Sequence, residues 1–177
     1  NYWNRVTPGD RDRVVFVVGH ESDPETYLHS SDWYEEKVPW SHNMTSRGLA
    51  ISGSWLISPE KPGLYRFEVR RWPKELEAPI AGVPQINKTV DAWDANGEIS
   101  FPIYGPQSAT YKAHPVTFVR LKVGEYESVQ KINVEETYVT FDVKLDQSQY
   151  EVTAELLDAS QELIAGAYYA YCSKLNR

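Results

Sequence analysis

The alternation of apolar and charged side chains within residues 64–70, which begins at Tyr65, constrains the fold of this chain more than any other feature. Successive side chains of an extended strand point to opposite faces, so a period of two predicts a strand with one buried face and one solvated face. The two alternating sets are Tyr65, Phe67 and Val69 on one face and Arg66, Glu68 and Arg70 on the other.

The same preference for strand extends along most of the 177 residues. Residues 138–145 alternate as cleanly, and the other strand candidates are 13–18, 49–58, 99–103, 116–123, 127–134, 149–157 and 167–172. The 17 valines, 8 isoleucines and 23 aromatic residues outnumber the 23 alanines and leucines, which favours strand over helix. We therefore predict an all-β fold with few or no helices, an antiparallel, jelly-roll-like β-sandwich formed by residues 13–177. Residues 1–12 are polar and are interpreted as a linker or entry arm.

Charge and cysteine content exclude several classes of protein. The 18 basic and 25 acidic residues give a net charge of −7, which argues against general binding to nucleic acid. The single cysteine, Cys172, excludes an internal disulfide and a cysteine-rich metal site, and its strand-like surroundings predict a buried free thiol. No segment is apolar for long enough to span a membrane.

The sequence offers no catalytic motif and no strong metal site. The four histidines, at positions 20, 29, 42 and 114, are not at metal-ligand spacing. Asp91, Asp94, Asn96 and Glu98 form an acidic group around Gly97, but an EF-hand loop placed on that glycine would have Ala92 at its first ligand position. We interpret this group as a polar hairpin tip, with a calcium site as the alternative. Catalytic and metal-ligating residues are therefore predicted to be absent from the chain.

Tryptophans in loop-like segments are the strongest candidates for binding. An indole stacks on the C–H face of a sugar ring, while Asp, Asn and His side chains hydrogen-bond its hydroxyl groups. An arginine fork near an indole can bind sulfate or carboxylate. The candidate substrate or domain-interface contacts are Asp32, Trp33, Trp40, His42, Asn43, Arg71, Trp72 and Lys74. The alternative is that the tryptophans pin loops onto the sandwich and that one arginine of the 70–71 pair anchors an ion pair.

Five phrases in the chain, taken together, resemble a pattern found in one known family. They are Asp32-Trp33-Tyr34, Pro39-Trp40, Gly53-Ser54-Trp55, the stretch 63–75 with its Arg-Arg-Trp-Pro, and the Gly-Ala-Tyr-Tyr-Ala-Tyr of 166–171. Their order resembles the C-terminal region of bacterial arylsulfatase-like enzymes. The resemblance covers about Arg13 to Leu175 and is weaker over residues 85–113. Arg-Arg-Trp-Pro and Gly-Ala-Tyr-Tyr are its most specific parts.

The resemblance implies an accessory domain that belongs to a longer protein. Sulfatases of this kind carry a formylglycine, made from the Cys or Ser of a C/S-x-P-x-R motif, and a calcium ion beside it, both in an N-terminal α/β domain. Cys172 is followed by Ser-Lys-Leu-Asn and does not match that motif. Formylglycine and calcium are therefore expected only in the parent catalytic domain. The resemblance further implies a periplasmic or extracellular location, with the catalytic domain as a partner.

Three functions follow from these observations. The first is a non-catalytic C-terminal domain that packs on a sulfatase catalytic domain, shapes its substrate cleft and has no activity alone. The second is a carbohydrate-binding module that recognises glycans, including sulfated ones, through the loop tryptophans. The third is a glycosidase, which requires two carboxylates about 5 to 10 Å apart, and the sequence places no such pair. The first function predicts an exposed apolar patch near Trp33, Trp40 or Trp72.

Overall fold

The computed structural model describes residues 13–35, 38–84 and 111–175. This part of the chain contains ten strands, a five-residue helix and two single 3₁₀ turns. The strands are β1 Val15–Val18, β2 Glu25–His29, β3 Ser54–Pro59, β4 Gly63–Arg70, β5 Phe118–Val123, β6 Tyr126–Lys131, β7 Val139–Leu145, β8 Tyr150–Leu157, β9 Leu163–Gly166 and β10 Tyr169–Leu175. The helix α1 is His42–Ser46, and the 3₁₀ turns are Ser30–Asp32 and Lys74–Leu76.

The strands form two sheets. The first has the order β1-β3-β8-β5-β6, with β9 paired to β8, and the second has the order β2-β10-β4-β7. Nearly all neighbouring strands are antiparallel and helix is scarce, which confirms the predicted all-β sandwich. One pair departs from the antiparallel pattern, because β1 runs parallel to β3. The connection between them passes through β2 in the other sheet, and parallel neighbours require a long crossover connection of this kind.

The core lies between the two sheets and is built from the alternating positions. On β4 the fully buried side chains are Tyr65, Phe67 and Val69, as the period of two predicts. The neighbouring strand β7 contributes buried Phe141, and β5 of the other sheet contributes buried Leu121. Full burial of a side chain of this size stabilises the folded state by about 1.5–3 kcal/mol. The sandwich therefore has a continuous apolar core.

Two strands were not predicted, and the reason is the same for both. Residues 20–37 are rich in Ser, Asp and Glu and have no clear period, which predicts a surface loop, yet β2 lies within them and pairs with β10. Only Thr26 and Leu28 of β2 are buried, so its short apolar pattern is too weak to recognise. The four-residue strand β9 is equally short. The linker 1–12, the strand candidate 99–103 and the hairpin at Asn96-Gly97 lie outside the described residues.

No helix in the described ranges is long and apolar enough to cross a membrane.

Candidate functional site

Four rings form a two-by-two grid on the outer face of the second sheet. Strand pairing sets Tyr171 opposite Tyr27 and Tyr169 opposite His29. Ring centroids of Tyr27 lie 5.3 Å from Tyr171, 6.1 Å from Tyr169 and 5.9 Å from His29, and those of His29 and Tyr169 lie 5.0 Å apart. We call this group of Tyr27, His29, Tyr169 and Tyr171 the tyrosine face. It exists because residues two apart on a strand share one side of the sheet.

The tyrosine face is covered at one strand and open at the other. Tyr169 and Tyr171 are only 5% and 8% exposed, while Tyr27 is 46% exposed. The side chain of Thr45, on helix α1, hydrogen-bonds Tyr169. The Lys74 ammonium lies 4.2 Å from the centroid of Tyr171, and the Lys74 backbone N–H donates to its hydroxyl at 3.3 Å. Tyr27 is therefore the ring that a ligand can reach.

The cations beside the tyrosine face already have carboxylate partners. Lys74 Nζ lies 2.6 Å from an oxygen of Glu25 and 3.7 Å from one of Glu68. Arg70 Nε donates to Glu68 at 2.5 Å, and its guanidinium lies 4.7 Å from the centroid of the Tyr138 ring. These pairs confirm the prediction that one arginine of the 70–71 pair anchors an ion pair, and that arginine is Arg70.

The ionisable groups of the tyrosine face are neutral near pH 7. Burial raises the pKa of Tyr27 well above its ordinary value of 10, and the carboxylates of Glu75 and Asp32 add smaller contributions. Burial also raises the pKa of Tyr169 to about 12. Burial lowers the pKa of His29 below 6.5, and Asp32 opposes that shift only in part. The tyrosine face is thus an uncharged ring surface with acidic side chains at its margin.

Several candidate residues from the sequence lie at or near this face. Asp32 is exposed and close enough to act on both Tyr27 and His29. Lys74 is part of the site, as described above. Trp40 is 70% exposed, and the preceding Pro39 carbonyl accepts a hydrogen bond from Ser30 Oγ at 2.7 Å, directly after β2. His42 and Asn43 belong to α1, and their side chains are outside the described part of the structure.

Trp33 is buried in the domain's own core, which corrects its expected place on an exposed patch. Its ring lies 5.7 Å from that of Trp55 and 6.0 Å from that of Tyr168. It is wedged between Gly53 and Gly166, since a Cβ on either glycine would overlap the indole side chain. The 3₁₀ turn after β2 directs Trp33 inward, and no sequence pattern shows that direction.

Arg71 and Trp72 are also buried, and the exposed patch does not include them. The guanidinium of Arg71 lies 4.5 Å from the centroid of the Trp72 ring, and it donates to the carbonyls of Ile80, Gly82 and Lys112. Burial lowers the pKa of Arg71 to about 10, so it keeps its charge at pH 7. Arg71 is therefore an internal brace between loop segments rather than a surface site for an anion.

The tyrosine face was missed because its members look unremarkable in the sequence. Tyr169 and Tyr171 alternate with Ala170 and Cys172 in the last strand, which indicated only a final strand. Tyr27 and His29 are also two residues apart, but they fall in a segment interpreted as a loop. The available signal was a pair of aromatic residues with a spacing of two in each segment, and only strand pairing joins the two pairs.

Cys172 is a buried free thiol, as the sequence predicted. Burial raises its pKa far above the ordinary value, so the reactive thiolate is scarce at neutral pH. We expect no reaction with a thiol reagent such as dithionitrobenzoate in the native protein and one equivalent of reaction in denaturing urea. A rapid native reaction at pH 8 would contradict the buried position. A Cys172→Ser variant controls for reagent background.

His114 makes the stability of the domain depend on pH. Burial, with the positive charges of Arg71 and Lys112, lowers its pKa from 6.5 to about 4. The folded state then binds fewer protons than the unfolded state, so the free energy of unfolding falls as the pH drops from 6.5 towards 4. We expect urea midpoints to decline across this window and a His114→Gln variant to show a flatter profile. Equal slopes for both proteins would contradict this role.

No group of His, Cys, Asp and Glu side chains within residues 13–35, 38–84 and 111–175 is arranged to hold a metal ion. The alternative calcium site around Gly97 lies outside these ranges.

Comparison with known proteins adds little. No family model matches the chain, and no curated protein matches it. One solved structure that matches is a ruminal GH26 endo-beta-1,4-mannanase, with 12% sequence identity and a TM-score of 0.44. The match covers 86% of this chain and 26% of the mannanase chain, so this chain spans about a quarter of that structure. A likeness this distant carries no argument about function, and the resemblance to arylsulfatases stays a prediction.

Proposed function

We propose that this chain is a non-catalytic accessory domain of a sulfatase-type sulfuric ester hydrolase. In this proposal it packs on a catalytic domain of the same protein and contributes the tyrosine face to the substrate cleft. The single observation that carries the proposal is that the phrases resembling arylsulfatases, far apart in sequence, meet at a few structural points.

The first meeting point is around Trp33. The Asp-Trp-Tyr phrase supplies Trp33, the Gly-Ser-Trp phrase supplies Gly53 and Trp55, and the closing Gly-Ala-Tyr-Tyr phrase supplies Gly166 and Tyr168. The two glycines leave room for the indole, and the other two rings flank it. The shared phrases thus describe one mutually dependent packing arrangement, which supports their use as a signature of one domain type.

The second meeting point is the tyrosine face. The closing phrase continues into Tyr169 and Tyr171, and the Arg-Arg-Trp-Pro phrase continues into Lys74, which lies over the Tyr171 ring. Part of the shared signature therefore forms the covered half of the tyrosine face, next to the open ring of Tyr27. This placement supports a role for the face in contacting substrate.

A docking surface for the catalytic domain is suggested near the start of the described chain. Val14, Val17 and Tyr34 are 66%, 52% and 50% exposed. The Arg13 guanidinium lies 4.5 Å from the centroid of the Tyr34 ring, so Tyr34 lies beside the residue that precedes Val14. A preceding domain would lie next to this surface, and covering its apolar side chains favours association.

The test of this proposal begins with the open reading frame that contains the chain. We expect it to encode a C/S-x-P-x-R motif upstream of residue 1. The full-length protein should hydrolyse an aryl sulfate such as para-nitrophenyl sulfate, and the 177-residue chain alone should not. A full-length variant with the motif's Cys or Ser replaced by Ala is the matched control. An upstream sequence without the motif, or sulfatase activity in the isolated chain, would refute the accessory role.

A carbohydrate-binding module is the second candidate, and the exposure of Trp40 favours it. At 70% exposure this indole is held beside β2 without being part of the core. An isolated chain that binds glycans, and that loses affinity in a Trp40→Ala variant, would favour this function over an accessory domain that depends on its parent enzyme.

A further inference from the structure

We propose that the tyrosine face binds an uncharged sugar ring of a glycan, stacked on Tyr27 and hydrogen-bonded by the carboxylates at its margin. This inference rests on the proposed function, since it specifies which part of a substrate the domain contacts. The sulfate ester itself would belong to the catalytic domain, and the ring held here would be an unsulfated one.

The open part of the tyrosine face is the exposed side of Tyr27. Tyr27 is about half exposed, His29 is partly exposed, and their ring planes differ by only 24° at a centroid separation of 5.9 Å. The two rings are therefore stacked along β2, and the exposed part of Tyr27 is the apolar surface that a sugar ring can contact. The axial C–H groups of a sugar carry a slight positive charge and favour the negative face of an aromatic ring.

The rings of Tyr27 and His29 are held in place before any ligand arrives. Tyr169 and Tyr171 are almost completely buried beneath Thr45 and Lys74 and fix the position of their neighbours on β2. A hydrogen bond of 2.7 Å between Nδ1 and the hydroxyl of Ser31 orients the ring of His29. Preorganisation of this kind lowers the conformational entropy that binding would otherwise cost.

The charges at the margin select against an anionic ligand. Asp32 and Glu75 are exposed, and both are close enough to Tyr27 to affect its ionisation. Lys74, the cation over the Tyr171 ring, is shared between Glu25 and Glu68. A sulfate placed beside Asp32 and Glu75 would be repelled by their like charges, whereas hydroxyl groups can donate charge-assisted hydrogen bonds to these carboxylates.

The test is calorimetric titration of the 177-residue chain with hexasaccharides. The neutral probes are cellohexaose, mannohexaose and chemically desulfated carrageenan hexasaccharide, and the anionic probe is the same carrageenan hexasaccharide with its sulfates. We expect saturable binding of at least one neutral probe and binding of the sulfated probe that is weaker by about tenfold. Absence of binding by all neutral probes, or equal or tighter binding of the sulfated one, would overturn the inference.

Substitutions distinguish the contribution of the Tyr27 ring to binding from that of the Asp32 and Glu75 carboxylates. Tyr27→Ala should weaken neutral binding by on the order of tenfold through lost stacking, and Tyr27→Trp should retain it. Tyr34→Ala is the matched control, because Tyr34 is similarly exposed but lies beside Ser54 of the other sheet. The double variant Asp32→Asn, Glu75→Gln should improve binding of the sulfated probe about two- to fivefold. Full affinity in Tyr27→Ala would overturn the site.

Failure of this inference and failure of the proposed function are distinguishable. A chain that binds a neutral glycan through Tyr27, in a protein without a C/S-x-P-x-R motif, would keep the site and reject the sulfatase assignment. A protein with that motif whose isolated domain binds no neutral glycan would reject only the site.

Discussion

Replacing Trp33 by alanine is expected to lower the free energy of unfolding by about 3–5 kcal/mol, the usual cost of truncating a buried aromatic side chain. Trp33 is 5% exposed and packs against Trp55 and Tyr168. Gly53 and Gly166 lie directly against the indole and have no side chains that could move into the cavity, so little collapse of the surroundings is expected. The measurement is urea denaturation, followed by far-ultraviolet circular dichroism at pH 7.

Trp40→Ala is the matched control for this experiment. Both tryptophans have the same chemistry, lie seven residues apart and are predicted from the sequence to have the same role. Because Trp40 is 70% exposed, its truncation should change the free energy of unfolding by about 0.5 kcal/mol or less. Equal effects of the two substitutions would contradict the inward orientation of Trp33.

The second large effect is expected at Arg71. An Arg71→Met substitution keeps most of the side-chain volume but leaves the carbonyls of Ile80, Gly82 and Lys112 without their donor. Each buried acceptor that loses its partner costs about 1–3 kcal/mol. Removal of the buried charge offsets part of this cost, because the charged group no longer has to be desolvated. The three carbonyl oxygens nevertheless remain without a hydrogen-bond donor. We therefore expect a net loss of about 3 kcal/mol in denaturant unfolding.

Two further variants show whether the loss of stability in Arg71→Met comes from the missing hydrogen-bond donors. Arg71→Lys keeps the charge but not the planar fork of donors, so it should restore only part of the stability. Arg66→Met removes an exposed ion pair with Asp142 and should have little effect, because solvent screens such pairs. A mild effect at Arg71, similar to that at Arg66, would show that the loop segments do not depend on the guanidinium.

The fold class followed from the sequence because alternation and burial report the same physical fact. On β4 from Tyr65 onward and on β7, every second side chain is apolar and buried. Arg70, at the end of β4, is buried as well and is paired with Glu68. The pattern failed at β2 and β9, which are short and have few buried positions. It also gave no strand order, because the parallel β1–β3 pair depends on how a long connection crosses between the sheets.

The candidate site could be predicted only in part. Asp32, Lys74 and Trp40 are polar or aromatic residues in loop-like segments without a pattern of core packing, which made them candidates. They lie at or near the tyrosine face. Trp33 and Trp72 met the same criterion and are buried. A loop residue carries no periodic signal for the direction of its side chain, so sequence alone does not separate these two groups.

By itself, the sequence determined the all-β class, the absence of a disulfide, the buried thiol at Cys172 and the alternating core of β4, because these depend on residue type and local spacing. Tertiary structure alone decided which tryptophans face inward and which rings meet. Tyr27 and Tyr171 are 144 positions apart in the chain, and only the pairing of β2 with β10 places them side by side. Contacts of this kind depend on strand register, which is set by the packing of the whole core rather than by either segment.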